Sequence, residues 1–286
     1  MTGPEAHWLP DRRRLHLHHG PIDLILQAWG EPEARAAAYA AAHARFATVL
    51  AELTAELPAL RSPAPHAFAG PVARAMAAAV APFRPAFITP MAAVAGAVAD
   101  EILARMTEAA PLARAYVNDG GDIALYLAPG ETLTAAIAGT GSETGARTTI
   151  AHADPVRGIA TSGWRGRSFS LGIADAVTVL AATAAEADAA ATMIANAVDL
   201  PGHPAVTRAP ARSLQHDTDL GRRLVTTAVG PLSPAGIARA LDSGLAAAET
   251  MRTRGLITAA ALFLQGEART TGPFPLTTRE TEIAHA

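Results

Sequence analysis

Gly158-Ile-Ala-Thr-Ser-Gly163 is the stretch whose reading decides the fold. It is a small-residue turn bracketed by glycines. A short polar segment links it to Ala176-Val-Thr-Val-Leu180, a β-branched run that reads as a strand. A helix is expected next, over about residues 184–198, and it carries Ala187-Asp-Ala-Ala-Ala-Thr192. Asp188 and Thr192 are four residues apart, which puts a carboxylate and a hydroxyl on one helix face, one turn from each other. Two hard oxygen donors beside a backbone turn suit Mg²⁺, which is usually held by one or two carboxylates plus water and ligand oxygens. The further oxygens are expected from the backbone carbonyl near Ala160 and from a phosphate or carboxylate of a ligand. The bland alternative is an ordinary helix, with Asp188 favouring the dipole at its start and Thr192 bonding a backbone carbonyl.

Working outward, residues 14–29 read as two short strands around His19-Gly20-Pro21. Glu31-Pro32 begins a long helix reaching about Leu57, and Pro58, Pro63 and Pro65 break it. Helices are expected over about 71–81 and 91–106. Strands at 113–117 and 123–127 flank Asn118-Asp-Gly-Gly, a strong hairpin signal. Residues 133–138, 147–151, 169–171 and 177–180 read as further strands, and 201–210 as a Pro-rich connector. A strand or buried segment at 224–229 precedes a helix capped by Ser233-Pro234, which Gly255 ends before a last strand over 256–265. Strands mixed with long helices, without a regular βαβ repeat, indicate an α+β fold with mixed sheets. We read residues 1–286 as one domain: an N-terminal hairpin and helices (1–110), a strand-rich core for ligand and metal (111–200), and a C-terminal helix and strand (201–286).

Composition narrows the chemistry. Half of the residues are apolar and the net charge is −3, so nothing argues for nucleic-acid binding. Every basic side chain apart from histidine is Arg, which excludes Lys Schiff bases and Lys nucleophiles and favours bidentate recognition of carboxylate or phosphate. Cysteine is absent, so thiol nucleophiles, thiolate zinc sites and disulfides are excluded. Residues 1–14 have no apolar signal core and no apolar run is long enough to span a membrane, so a cytoplasmic chain with no membrane partner is expected. Dinucleotide-binding, P-loop, nucleophile-elbow and His-Glu-x-x-His signatures are missing.

Several residues carry candidate chemistry. Thr161, Ser162 and Gly163 form either a plain turn or a backbone nest with hydroxyls that grip an anion or ring carbonyl. Arg165 and Arg167 follow at once and point to an acidic ligand. Trp164 either stacks on a planar ligand or packs. Asp119 and Asp122 bracket Gly120-Gly121; turn chemistry explains them, and so does a flat ring approaching a bare backbone. Asp119 and Asp175 are candidate catalytic carboxylates, and Asp100 is a secondary acid. His16 and His18 share one strand face while His19 faces the other way. His19 with Asp23 has the makings of a base and its orienting acid, set against structural histidines as the alternative.

The order of these pieces resembles the ApbE-like superfamily, whose best-known members are Mg²⁺-dependent flavin transferases. That family has a Gly-x-Ala-Thr-Ser-Gly turn, a Val-Thr-Val strand and then Asp-Ala-x-Ala-Thr. The resemblance implies that Asp188 and Thr192 contact the metal. Asn118-Asp-Gly-Gly-Asp-Ile123 is similar to the family's Gly-Gly-Asn/Asp-Ile hairpin, which lies close to the ligand. Met91-Ala-Ala-Val-Ala-Gly-Ala-Val-Ala-Asp100 is similar to its small-residue helix start. Two departures stand out. Ala95 takes the place of a Lys, and residues 164–175 replace a longer His-x-x-Asp-Pro-x-Thr-Gly segment. The chain thus resembles the short, functionally uncharacterised branch found in bacteria and archaea, which also opens like Arg14-Leu-His-Leu-His-His-Gly-Pro-Ile-Asp-Leu24. The expectation is an enzyme that binds a small planar anionic ligand with Mg²⁺. That ligand would be a flavin nucleotide (FAD or FMN) or a heterocyclic carboxylate, and flavin transfer is one outcome. Hydrolysis or isomerisation of a small N-heterocycle and non-catalytic flavin binding are the alternatives. An Ala-rich helical surface leaves room for a homodimer.

Overall fold

The computed structural model describes residues 3–137 and 146–273. In chain order the strands are Glu5–Trp8 (β1), Leu15–His19 (β2), Ile22–Trp29 (β3), Arg114–Asp119 (β4), Asp122–Leu127 (β5), Thr132–Ile137 (β6), Ala146–Ala151 (β7), Gly158–Ser162 (β8), Ala176–Ala181 (β9), Val206–Pro210 (β10), Leu224–Val229 (β11), Ala259–Leu264 (β12) and Glu267–Thr271 (β13). The helices are Pro32–Ala55 (α1), Leu57–Leu60 (α2), Pro71–Val80 (α3), Val94–Ala109 (α4), Ala184–Ala197 (α5), Ala211–Leu214 (α6) and Pro234–Thr253 (α7). The fold is α+β, as its sequence indicates.

One nine-stranded sheet runs β1-β2-β3-β4-β5-β8-β9-β12-β13, and two-stranded pieces join β6 to β7 and β10 to β11. Every pairing among the described residues is antiparallel, not mixed in direction. Part of the cause is local: two-residue loops connect β2 to β3, β4 to β5 and β12 to β13, and so short a loop can only reverse the chain, whereas β3–β4, β5–β8 and β9–β12 pair across long intervening segments. Three other expectations are corrected. Residues 158–162, read as a small-residue turn, form strand β8, paired with β5 and β9, because its small and β-branched residues fit a buried position inside the sheet. The Pro-rich connector contains β10, which pairs with β11. Residues 169–171 form no strand; they belong to an irregular segment between β8 and β9. The end of the strand expected over 133–138 and the tail of the 201–286 section lie outside the described residues.

Alternation along the strands sorts residues onto two faces. Leu17, Leu24, Leu26, Val117, Ala124, Ala160, Val177, Val179 and Leu262 face the layer of α1, α3, α4, α5 and α7 and join the main core. Leu125, Leu127, Ile159 and Leu180 face the other way and form a smaller core with Ile150 of β7. No helix among the described residues is long and apolar enough to cross a membrane.

The helix layer brings two helix starts together. A side chain at Gly96 of α4 would begin 2.2 Å from the Ala184 carbonyl oxygen, so only glycine permits this approach to α5. Buried alanines line α5 on the sides that meet α4 and the sheet. The two helices also cap each other. Asp100 of α4 accepts the N–H groups of Ala184 and Ala185 at 3.0 and 2.9 Å, while Asp188 of α5 accepts the Gly96 N–H at 3.2 Å. Carboxylates at helix N-termini satisfy free N–H groups and favour the dipole. The expected Ser233 cap is present too: its hydroxyl accepts the Gly236 N–H at 3.2 Å.

Candidate ligand and cation site

A cavity of about 560 Å³ opens where the β4–β5 turn, the end of β8 and the start of β9 meet the first turn of α4 and the inner face of α5. That is within the range of roughly 300–1,000 Å³ usual for small-molecule sites. Its floor is acidic. Asp119 and Asp122 stand directly opposite each other in the β4–β5 register and point to the helix layer. Gly120 and Gly121 between them have φ of +64° and +116°, a hairpin turn that disfavours side chains. The Asn118 side-chain oxygen accepts the Gly121 N–H at 2.8 Å and fixes the turn. Asp188 comes down onto the same floor from α5.

These carboxyls have few donors. Asp122 accepts the Thr161 N–H at 3.2 Å, Asp119 accepts the Asp23 backbone N–H, and Asp188 accepts N–H groups at the start of α4. Burial therefore dominates. It pushes Asp119 and Asp122 up to about 7, with their mutual repulsion adding to the rise in Asp122. Asp188 is held well above the usual carboxylate range by burial and then by the charges of Asp122 and Asp119. At neutral pH this floor favours a proton or a cation.

The rim is basic. Arg61, Arg165 and Arg167 line the opening, each from a different local environment. Arg165 donates through Nε to Asp175 Oδ1 at 2.7 Å, and its guanidinium lies 4.8 Å from the centre of the Trp164 ring. Arg61 is bonded to Asp217 at 2.9 Å. Arg167 lies over the bare backbone of Gly120.

Most of the residues singled out in the sequence reach this cavity. Asp119, Gly120, Asp122, Thr161, Ser162, Gly163, Arg165, Arg167, Asp175, Asp188 and Thr192 all line it. Asp188 and Thr192 share it as their spacing requires. Ala160 is fully buried in the main core and does not line the cavity, so the expected carbonyl donor is not exposed there. Gly121 serves the turn without lining the cavity.

Four role assignments are corrected. His19 and Asp23 do not pair: the strand register sets Asp23 opposite His18, and its two oxygens lie 2.9 and 3.2 Å from His16 Nε2 and His18 Nδ1. The His19 ring packs edge-on to Phe46 of α1 instead. Neither His19 nor Asp23 lines the cavity. Asp175 is an anchor and not a free base. It is buried, and its oxygens accept from Trp164 Nε1 at 3.2 Å, Arg165 Nε at 2.7 Å and the Gln265 N–H at 2.6 Å. Trp164 holds this anchor with its indole N–H and does not line the cavity. The Thr161 hydroxyl is 2.9 Å from that of Thr178, so Thr161 meets the floor with its backbone N–H.

Other lining residues carry almost no signal in the sequence. Arg61 comes from the end of α2, and Phe169 from the irregular segment. Gln215, Thr218, Asp219 and Leu220 follow α6 and form the far wall. The polar run His216-Asp-Thr-Asp219 was the one hint in the sequence.

The donor set can be tested against Mg²⁺. Among the described residues, no group of three or more His, Cys, Asp or Glu is arranged to hold a metal ion. Mg²⁺ needs no such cage: one or two carboxylates, a hydroxyl and ligand oxygens suffice. Asp188 with Thr192, one turn apart and facing one cavity, fits that smaller requirement.

A family model described as AbpE bacteria matches residues 6–270. The chain belongs to this family. Curated relatives include a UPF0280 protein of Methanococcoides burtonii, 38% identical over 123 residues that make up 43% of this chain and 51% of the relative. A UPF0280 protein of Methanopyrus kandleri is 39% identical over 136 residues, 44% of this chain and 48% of the relative. One of Methanocaldococcus jannaschii is 39% identical over 114 residues, 38% and 45% of the two chains. The chain spans about half the length of the curated relatives it matches.

Proposed function

We propose that this family member is an enzyme that binds a small planar anionic ligand together with Mg²⁺, as its resemblance to the ApbE-like superfamily implies. The observation that carries the reading is a cavity with a donor-poor acidic floor under a basic rim. A cation on the floor and an anion beneath the arginines neutralise each other and the wall. Asp188 and Thr192 would hold Mg²⁺, which supplies charge stabilisation for ligand oxygens. Ser162 and the Thr161–Gly163 backbone orient the ligand, and Met91, Phe169 and Leu220 give it apolar surface. Without a cation, burial pushes Asp119 up to about 7, and a cation on Asp188 lowers it, so Asp119 can take a proton from the ligand or return one. The composition fits a cytoplasmic protein, and a homodimer fits the Ala-rich helices.

Ala95 lines the cavity where the resembled transferases carry a Lys. This favours hydrolysis or isomerisation of a ring compound, with Asp119 as the proton carrier, over flavin transfer. Thermal melting with Mg²⁺, alone and with FAD, FMN or nicotinate, tests the reading. A ligand at one hundred times its Kd adds about 2.7 kcal/mol of stability. The expected result is a Mg²⁺-dependent shift with at least one ligand, abolished by Asp188→Ala. Melting that is unchanged by every combination overturns the reading. Covalent flavin on an acceptor protein would restore the transferase.

A further inference from the structure

The three arginines of the rim are not equivalent. Arg165 is tied to Asp175 and stacked on Trp164, and Arg61 is tied to Asp217. Arg167 has no hydrogen bond or ion pair among the described residues, although it is exposed at the mouth of the cavity. Its position is nevertheless specified. A side chain at Gly120 would begin 2.2 Å from Arg167 Nη2, so the guanidinium occupies the space that the glycine leaves open. From that seat it acts electrostatically on both Asp119 and Asp122, yet it approaches neither closely enough to form an ion pair. A cation placed to neutralise these acids would bond them directly. Arg167 instead keeps its donors unbonded above the floor.

We propose that Arg167, seated on Gly120, is the specificity residue of this cavity, and that it selects a ligand bearing a planar or tetrahedral oxyanion with two adjacent acceptor oxygens. This deepens the proposed function and rests on it. A guanidinium presents donors in a fixed fork that matches two oxygens of a carboxylate or phosphate. Gly166 and Ser168 on either side of Arg167 also line the cavity, so the whole segment faces the ligand. Arg165 then has a different duty: with Asp175 and Trp164 it fixes the segment from which Arg167 extends.

Two pairs of probes isolate the oxyanion: FMN against riboflavin, and nicotinate against nicotinamide. Calorimetry with Mg²⁺ present is expected to show the wild-type chain preferring the anionic member of at least one pair by about tenfold or more. The pair that responds tells phosphate from carboxylate. Arg167→Gln is expected to erase that preference by weakening the anionic member to the level of its neutral counterpart, whose own binding stays unchanged. Arg167→Lys is expected to restore part of it, because a point charge lacks the fork. Gly120→Ala, which keeps the charge but fills its seat, is expected to weaken it too. A preference that survives Arg167→Gln, or a wild-type chain that does not distinguish either pair, overturns the proposal. Loss of all Mg²⁺ and ligand response in the wild type overturns the parent reading as well.

Discussion

Two acidic regions share one cavity wall and differ in how their carboxylates are supplied with donors. At the corner formed by residues 164–175, Asp175 accepts from an indole, a guanidinium and a backbone N–H. At the β4–β5 turn, Asp119 and Asp122 accept one backbone N–H each. Asp100 stands between these cases with two N–H donors, and burial still raises it to about 6. Asp175, with three donors, is scaffolding, while Asp119 and Asp122, with one each, keep their capacity for protons, cations or ligands; Asp188 accepts two N–H groups and is raised further by the charges of Asp122 and Asp119.

The most severe way to break this contrast is Asp175→Ala. It strands the Gln265 and Trp164 N–H groups, while the exposed Arg165 guanidinium turns to water, and it is expected to cost about 3 kcal/mol in urea unfolding. A loss below about 1 kcal/mol would remove Asp175 from the scaffold.

Asp119→Asn sharpens the contrast through pH. The folded chain holds the Asp119 proton to about 7, whereas an ordinary side chain releases it near 3.8. The folded state therefore binds more protons in that window, and this group's contribution to stability declines as pH rises from about 4 to about 7. Without divalent cations, Asp119→Asn is expected to stabilise the chain by about 2–3 kcal/mol at pH 8 and by little at pH 4. Equal effects at both values would show that Asp119 is not short of donors.

Asp100→Ala gives the smallest effect. It removes the carboxylate cap of α5 and is expected to cost about 1–2 kcal/mol. A cost matching that of Asp175→Ala would mean that donor number does not grade these acids.

Much of the cavity wall was legible because it depends on short-range rules. Two glycines between alternating strands define the β4–β5 turn, and a four-residue spacing puts Asp188 and Thr192 together. What escaped depends on register and long-range docking. His19 and Asp23 looked paired along the chain, but the two-residue loop sets His18 opposite Asp23. Trp164 looked available to a ligand, but its indole partner is set by how the chain folds back at Asp175. Arg61 and the wall after α6 come from distant segments with no periodic pattern. Loop lengths fix the direction of the hairpins, but the pairing of β3 with β4 and of β9 with β12 joins strands far apart in the chain and has no local signal.

The exchange of caps between α4 and α5 bears on how the domain assembles. Thr183 caps the Glu186 N–H of α5 locally, but the Ala184, Ala185 and Gly96 amides find their carboxylate partners only when the two helices dock, although the paired groups are 84 and 92 residues apart in the chain. Half-built versions of this joint leave amides bare and are penalised, so both starts are acquired in one cooperative step. Because Asp188 belongs to that joint, its place on the binding floor is set by the docking of α4 on α5, whereas Asp119 and Asp122 are set by their own hairpin.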